Sequence, residues 1–220
     1  MKKDFLVEKD ETKKPLIITF GGIANGIGGP IFEFKNLLKE NIDCHKIFIK
    51  DSNQSWYHKG ANGLGNNINE LKNDIEKLIE KINYSEIITI GASMGGYASL
   101  LFGSLLKVNS IISFIPQTFI DKETRKKHKD NRWSEQMKSV HENNQNYYNL
   151  INLNFTNINT KIIYGEKDLL DTIHTKRMNK HKSIEIIKYN ANHQSIFKKL
   201  KKDNQLINII KKSINYQDLL

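Results

Sequence analysis

Cysteine is almost absent. Cys44 stands alone among 220 residues, which excludes an intramolecular disulfide and agrees with a reducing compartment. It lies in NIDCHKIFI, just ahead of an apolar run, where a small buried residue is expected. Proline is nearly as scarce, with three in the chain, and no Pro/Ser-rich stretch reads as a linker. No apolar run approaches the ~20 residues of a membrane span. The opening MKKDFLVEKDETKK is too charged for the apolar segment of a signal peptide. A cytoplasmic protein without an integral membrane segment is therefore expected. Internal repeats are missing too, which excludes a solenoid.

Acidic residues are outnumbered, 24 against 34 lysines and arginines, for a net charge of +10. The basic runs are Arg125–Lys129, Lys198-Lys199 with Lys201-Lys202, and Lys211-Lys212. They read as solvated surface, with an anionic partner as the alternative. Aromatic residues do not interleave them, as a single-strand binder would require. Zinc-finger spacing and an RNP motif are lacking. No nucleic-acid partner, metal or cofactor is expected.

Short β-branched blocks are present in number. LIITF at 16–20, KIFI at 46–49, EIITI at 86–90, Ser110–Ile115, KIIY at 161–164 and Ile184–Lys188 read as buried strands. Helical spacing falls between them: from Pro30 to about Lys39, Asn67–Ile82, Tyr97–Leu106, Asp171–Lys180, Ser195–Leu200 and Gln205–Ile214. This alternation calls for one α/β domain over 1–220, a mainly parallel sheet flanked by helices. Residues 117–157 are basic, Asn-rich and irregular, with helix-like patches around Trp133 and Tyr147. They are expected to form a cap or insertion. Ligands of such sheets bind beyond the carboxyl ends of the strands.

Gly91-Ala92-Ser93-Met94-Gly95 follows a strand directly and opens a helix directly. That context makes it a nucleophile elbow, with small residues where neighbouring side chains would collide. A serine hydroxyl needs a base, and the base needs an orienting acid. The chain order in this architecture is serine, acid, histidine. Of His128, His141, His174, His181 and His193, His193 follows the last strand and is the expected base. The acid should follow the preceding strand, where Gly165-Glu166-Lys167-Asp168 stands. Asp168 is the expected acid, Asp171 is assigned to capping the next helix, and Glu166 comes third. The oxyanion of an acyl-transfer intermediate needs pre-placed donors. The backbone N–H of Met94 and that of Gly22 or Ile23 are the candidates. A phosphate loop is excluded, because Ile27 stands where lysine is required, and Gly26 and Gly28 lead to Ile31, not glycine. Gln117, after the strand that follows the nucleophile helix, is expected to face the pocket. Trp56 and Tyr57 are expected to form a sugar-stacking wall.

With these residues in view, the sequence resembles the α/β-hydrolase superfamily from about Leu16 to Leu200. The likeness rests on GASMGG around Ser93, GEKD around Asp168, NH at 192–193 and FGG at 20–22. It is also similar to a small bacterial subgroup sharing FGGIA, WYHKG, GASMGGYASLLFG and PQTFID. That resemblance implies enzymes of surface-polysaccharide or glycoconjugate pathways, capsule O-acetyltransferases included. The expected activity is carboxylic ester hydrolysis of the acetyl-esterase type, through an acyl-enzyme, on a polar small-molecule or glycan ester. An O-acyltransferase using the same triad is the alternative, and a non-catalytic binding module of the same fold is the third reading. No long apolar lid is present, which disfavours long-chain lipid substrates.

Overall fold

The computed structural model describes residues 3–23, 31–141 and 146–214. Among the described residues, seven strands form one sheet: β1 (Phe5–Glu8), β2 (Lys14–Phe20), β3 (His45–Ile49), β4 (Tyr84–Ala92), β5 (Ser110–Phe114), β6 (Asn159–Gly165) and β7 (Ile184–Tyr189). Their order is β1-β3-β2-β4-β5-β6-β7. Every pairing is parallel except β1 with β3. Only β1 was not expected. Its four residues FLVE are all partly exposed, as suits an edge strand with a charged neighbourhood.

The helices are α1 (Lys35–Asn41), α2 (Ile68–Ile79), α3 (Met94–Leu106), α4 (Lys122–His128), α5 (Ser134–Val140), α6 (Leu169–Lys176), α7 (Ile196–Lys202) and α8 (Gln205–Lys211). The helix expected from Pro30 starts at Lys35, and Pro30 itself lies outside the described residues, as does most of the Gly-rich loop before it. The stretch expected to be largely irregular contains α4 and α5. In α4 the turn is set by Asp121, whose carboxylate accepts the Thr124 N–H at 2.8 Å. No helix among the described residues is long and apolar enough to cross a membrane.

Alternation along the strands builds two cores. Leu16, Ile18, Phe20, Ile111 and Ile162 pack on one face, with α2 and α3. Ile17, Ile112, Phe114 and Ile163 pack on the other, with α1, α7 and α8. A strand's side chains point to opposite faces in turn, so a sheet covered on both sides needs near-continuous apolar strands. α3 runs through the centre and is buried from Met94 to Ser104. α2 is amphipathic by contrast: Ile68, Leu71, Ile75 and Ile79 face inward, and Asn67 caps it through the Glu70 N–H at 3.0 Å. β4 lies mid-sheet, and its carboxyl end delivers the chain to Ser93.

Candidate active site

Ser93 adopts φ 54° and ψ −115° between β4 and α3. A side chain at positive φ is strained by roughly 1–3 kcal/mol, and the surroundings hold it there. The Ser93 N–H donates to the Phe114 carbonyl at 2.9 Å. A Cβ on Gly91 would lie 2.0 Å from the Gly95 carbonyl oxygen, and one on Gly95 would lie 2.1 Å from that of Phe20. Both positions therefore exclude any side chain. The sharp reversal lifts Ser93 into a cavity of about 810 Å3 also lined by Ile23, Arg132, Trp133, Lys167 and His193.

His193 stands in the loop between β7 and α7. Asn192 and Ser195 brace that loop reciprocally: the Ser195 N–H donates to the Asn192 side chain at 2.9 Å, and the Asn192 N–H donates to the Ser195 hydroxyl at 3.0 Å. His193 Nδ1 lies 2.9 Å from both carboxylate oxygens of Asp171. A carboxylate only accepts, so Nδ1 carries the proton and Nε2 keeps a basic lone pair.

The carboxylate that holds the His193 ring is thus Asp171 and not Asp168, which corrects the expected partner of that ring. Asp168 is the N-cap of α6, and its side chain accepts the Asp171 N–H at 3.0 Å. Asp171, expected to cap, holds the ring, and Asp168, expected to hold the ring, caps. A cap's carboxylate is committed to its own helix, whereas three residues on the side chain is free to reach across to β7. The spacing D-L-L-D held that clue. Asp171 is 1% exposed, and Arg132 Nη1 donates to its Oδ1 at 3.0 Å.

Arg132 comes from the stretch between β5 and β6 and was not foreseen. Its guanidinium also forks onto Asp130, with Nε–Oδ1 and Nη2–Oδ2 both 3.0 Å. His174 Nε2 donates to Asp130 Oδ2 at 3.0 Å, because the Thr118 N–H at 3.0 Å makes Nδ1 the acceptor. Burial pushes His174 down to about 4, against the opposing pull of Asp130, so the ring is neutral near pH 7. Burial alone would raise the Asp130 carboxyl, but the bonds from His174 and Arg132 carry it below the ordinary range.

Trp56 and Tyr57 do not form a wall of the cavity. Both are 0% exposed. Asp51 accepts the N–H groups of Asn53, Ser55 and Tyr57 at 2.9, 2.7 and 2.8 Å, which folds this loop inward. The Tyr57 hydroxyl donates to the Gly21 carbonyl at 2.9 Å, and the Trp56 indole donates to Gln117 Oε1 at 3.2 Å. Trp133 lines the cavity instead, its ring centroid 6.1 Å from that of His193. Gln117 is 1% exposed and directs Nε2 at Ser93 Oγ, 2.9 Å away. It faces Ser93 rather than open space.

Met94 begins α3, where the first N–H groups have no acceptor within the helix. Ile23 lines the cavity beside Gly22. The Gly22 N–H is engaged by the Glu33 carboxyl, which burial pushes up to about 7 and this bond partly restrains. Glu33 is a further polar group of the cavity that the sequence reading passed over.

No protein-family model and no curated relative matches the chain. Solved structures do. The capsule O-acetyltransferase of Neisseria meningitidis serogroup A is 17% identical, with a TM-score of 0.66 over 93% of this chain and 90% of that one. An alpha/beta hydrolase enzyme from a Mar Chica lagoon sediment metagenome is 13% identical, with a TM-score of 0.58 over 96% and 95%. The fold is that of the α/β-hydrolases. A chain of the Glycosylation Associate Protein (Gap123) complex from Streptococcus agalactiae is also similar: 16% identical, TM-score 0.63, over 97% of this α/β-hydrolase fold but 47% of that chain. Ser93, Asp171 and His193 follow β4, β6 and β7 in turn, beyond the carboxyl ends of those strands.

Proposed function

We propose that the protein is a serine acyl-transfer enzyme, acting as a carboxylic ester hydrolase of the acetyl-esterase type on a polar, glycan-like ester. One observation carries the reading: a serine in a left-handed elbow shares a cavity with a histidine whose Nδ1 is held by a buried aspartate. Ser93 Oγ attacks the ester carbonyl while its proton passes to His193 Nε2. The Met94 N–H, with that of Ile23, stabilises the oxyanion. The C–O bond then breaks, and the departing alcohol takes the proton from Nε2. Water repeats the cycle on the acyl-enzyme: it gives a proton to Nε2, bonds to the carbonyl carbon and releases Ser93, which recovers that proton. Asp171 holds the imidazole throughout. Lys167, Asn192 and Arg132 give the cavity polar walls, which suits a hydroxylated substrate.

A second reading, O-acetyl transfer to a sugar hydroxyl, differs only in the acceptor. The likeness to a capsule O-acetyltransferase over nearly the whole length of both chains favours it. The test is incubation with small acetyl esters, with and without candidate glycans, following acetate and acetylated glycan by mass spectrometry. Fluorophosphonate labelling accompanies it. Ser93→Ala is expected to abolish labelling and lower turnover by at least about 10^3-fold. Undiminished labelling of that variant would reject the nucleophile, and a parent protein that neither labels nor turns over an ester would return the chain to the binding-module reading.

A further inference from the structure

We infer that Trp56 and Gln117 form a buried two-bond support that orients the Ser93 hydroxyl toward His193. The inference rests on the reading of Ser93 as nucleophile. The amide of Gln117 could face either way in isolation. An indole N–H, however, only donates, so the atom 3.2 Å from Trp56 Nε1 must be the amide oxygen. The atom 2.9 Å from Ser93 Oγ is then the NH2 group, a donor. Ser93 Oγ is thereby an acceptor on that side, and its single proton must point elsewhere. The imidazole whose Nε2 is left basic by Asp171 lines the same cavity. The Gln117 amide thus removes one of the directions open to the hydroxyl proton, and Gln117 keeps both its amide protons through the cycle.

The support is stiff for reasons visible in the backbone. Trp56 and Tyr57 sit at φ 54° and 64°, a region that non-glycine residues seldom occupy. The buried Asp51 carboxylate holds them there through three backbone N–H groups. Trp56 is fully buried and Gln117 nearly so, and water therefore does not compete for either bond. Strain of this kind persists where the surroundings over-determine it. Trp56 is a positioning residue, acting on Ser93 only through Gln117.

Two variants test the support, each measured for kcat, KM, fluorophosphonate inactivation rate and melting temperature. Gln117→Glu keeps the shape and still accepts from Trp56, but its carboxylate would accept the Ser93 proton instead of donating. It is expected to lower kcat and the inactivation rate by roughly 100-fold with KM within about twofold. Trp56→Phe keeps a packed ring and removes one N–H, leaving the amide able to turn. It is expected to lower the same two rates by roughly tenfold, and it carries the test if Gln117→Glu fails to fold. Folded variants with parental kcat and inactivation rate would overturn the support. So would raised KM at unchanged kcat, which would make Gln117 a substrate contact. Absence of Ser93 labelling in the parent protein would reject the nucleophile itself and the support with it, an outcome distinguishable from parental rates in a labelled protein.

Discussion

The turn from β4 into α3 and the stretch between β5 and β6 meet at Ser93, but different forces hold them. The turn is fixed by exclusion. Gly91 and Gly95 leave no room for a Cβ, α3 is buried from Met94 to Ser104, and Ser93 has one conformation open to it. The stretch is fixed by pairing. Arg132 joins Asp130 to Asp171, and Asp130 in turn holds His174. The carboxylates of Asp130 and Asp171 are 0% and 1% exposed. A buried ion pair contributes little net stability when intact, but removing one partner costs about 3–5 kcal/mol. The turn should thus be insensitive to pH and salt, while the stretch should respond to both.

The largest expected effect separates the two aspartates after β6. Asp171→Asn is expected to lower kcat by roughly 10^3–10^4-fold, because an amide at that position no longer enforces the Nδ1–H tautomer of His193. Asp168→Asn can still cap α6, and is expected to change kcat by less than about threefold and stability by under ~1 kcal/mol. Steady-state kinetics of both variants check the assignment, and a reversed ranking would restore Asp168 as the acid.

Arg132 comes next. Its guanidinium donates to Asp171 Oδ1 at 3.0 Å and forks onto Asp130. Arg132→Gln is expected to lower kcat/KM at pH 7 by roughly 10–100-fold, because it leaves the buried Asp130 and Asp171 carboxylates without their cation. Arg132→Lys should restore part of the charge but not the forked geometry. Parental kcat/KM in a folded Arg132→Gln variant would confine Arg132 to holding the stretch in place.

Acid should loosen the stretch before the turn. The folded state holds His174 well below its ordinary value of 6.5, at about 4, through burial. Between those values the unfolded chain binds the extra proton. The contribution is therefore complete above about pH 6.5 and is lost as pH falls toward 4. The lowered Asp130 carboxyl adds a loss in the same direction at still lower pH. Melting temperature measured from pH 7 to 4 should fall, and His174→Gln should flatten that dependence. Equal slopes for the two proteins would contradict this origin.

The smallest effect concerns charge at a distance. Lys167 and Arg132 line the cavity, and the chain carries +10 overall. Exposed charges are screened beyond roughly 8 Å at physiological salt. Turnover of an acidic acetylated glycan should fall severalfold as salt rises, while that of a neutral acetyl ester should hold. Parallel curves would leave the basic runs as solubilising surface.

The sequence by itself determined what depends on neighbours along the chain. Strand blocks and amphipathic spacing are local, so the parallel sheet and the place of α2 and α3 were legible. The elbow was legible too, since Gly91, Gly95 and Ser93 lie within one turn and obey backbone sterics alone. His193 could be placed because it follows the last strand. What only the tertiary structure decided are pairings between distant segments. Asp171 and His193 meet because β6 and β7 are adjacent, and Asp168 is diverted to a cap by a hydrogen bond whose geometry the string D-L-L-D does not rank. Arg132 reaches Asp171 across 39 positions, and Trp56 reaches Gln117 across 61. Trp56 looked like a wall of the pocket because its loop follows a strand. It is buried because Asp51 gathers the loop's N–H groups inward. Side-chain hydrogen bonds of that range carry no periodicity, and packing alone selects which polar groups come within 3 Å of each other.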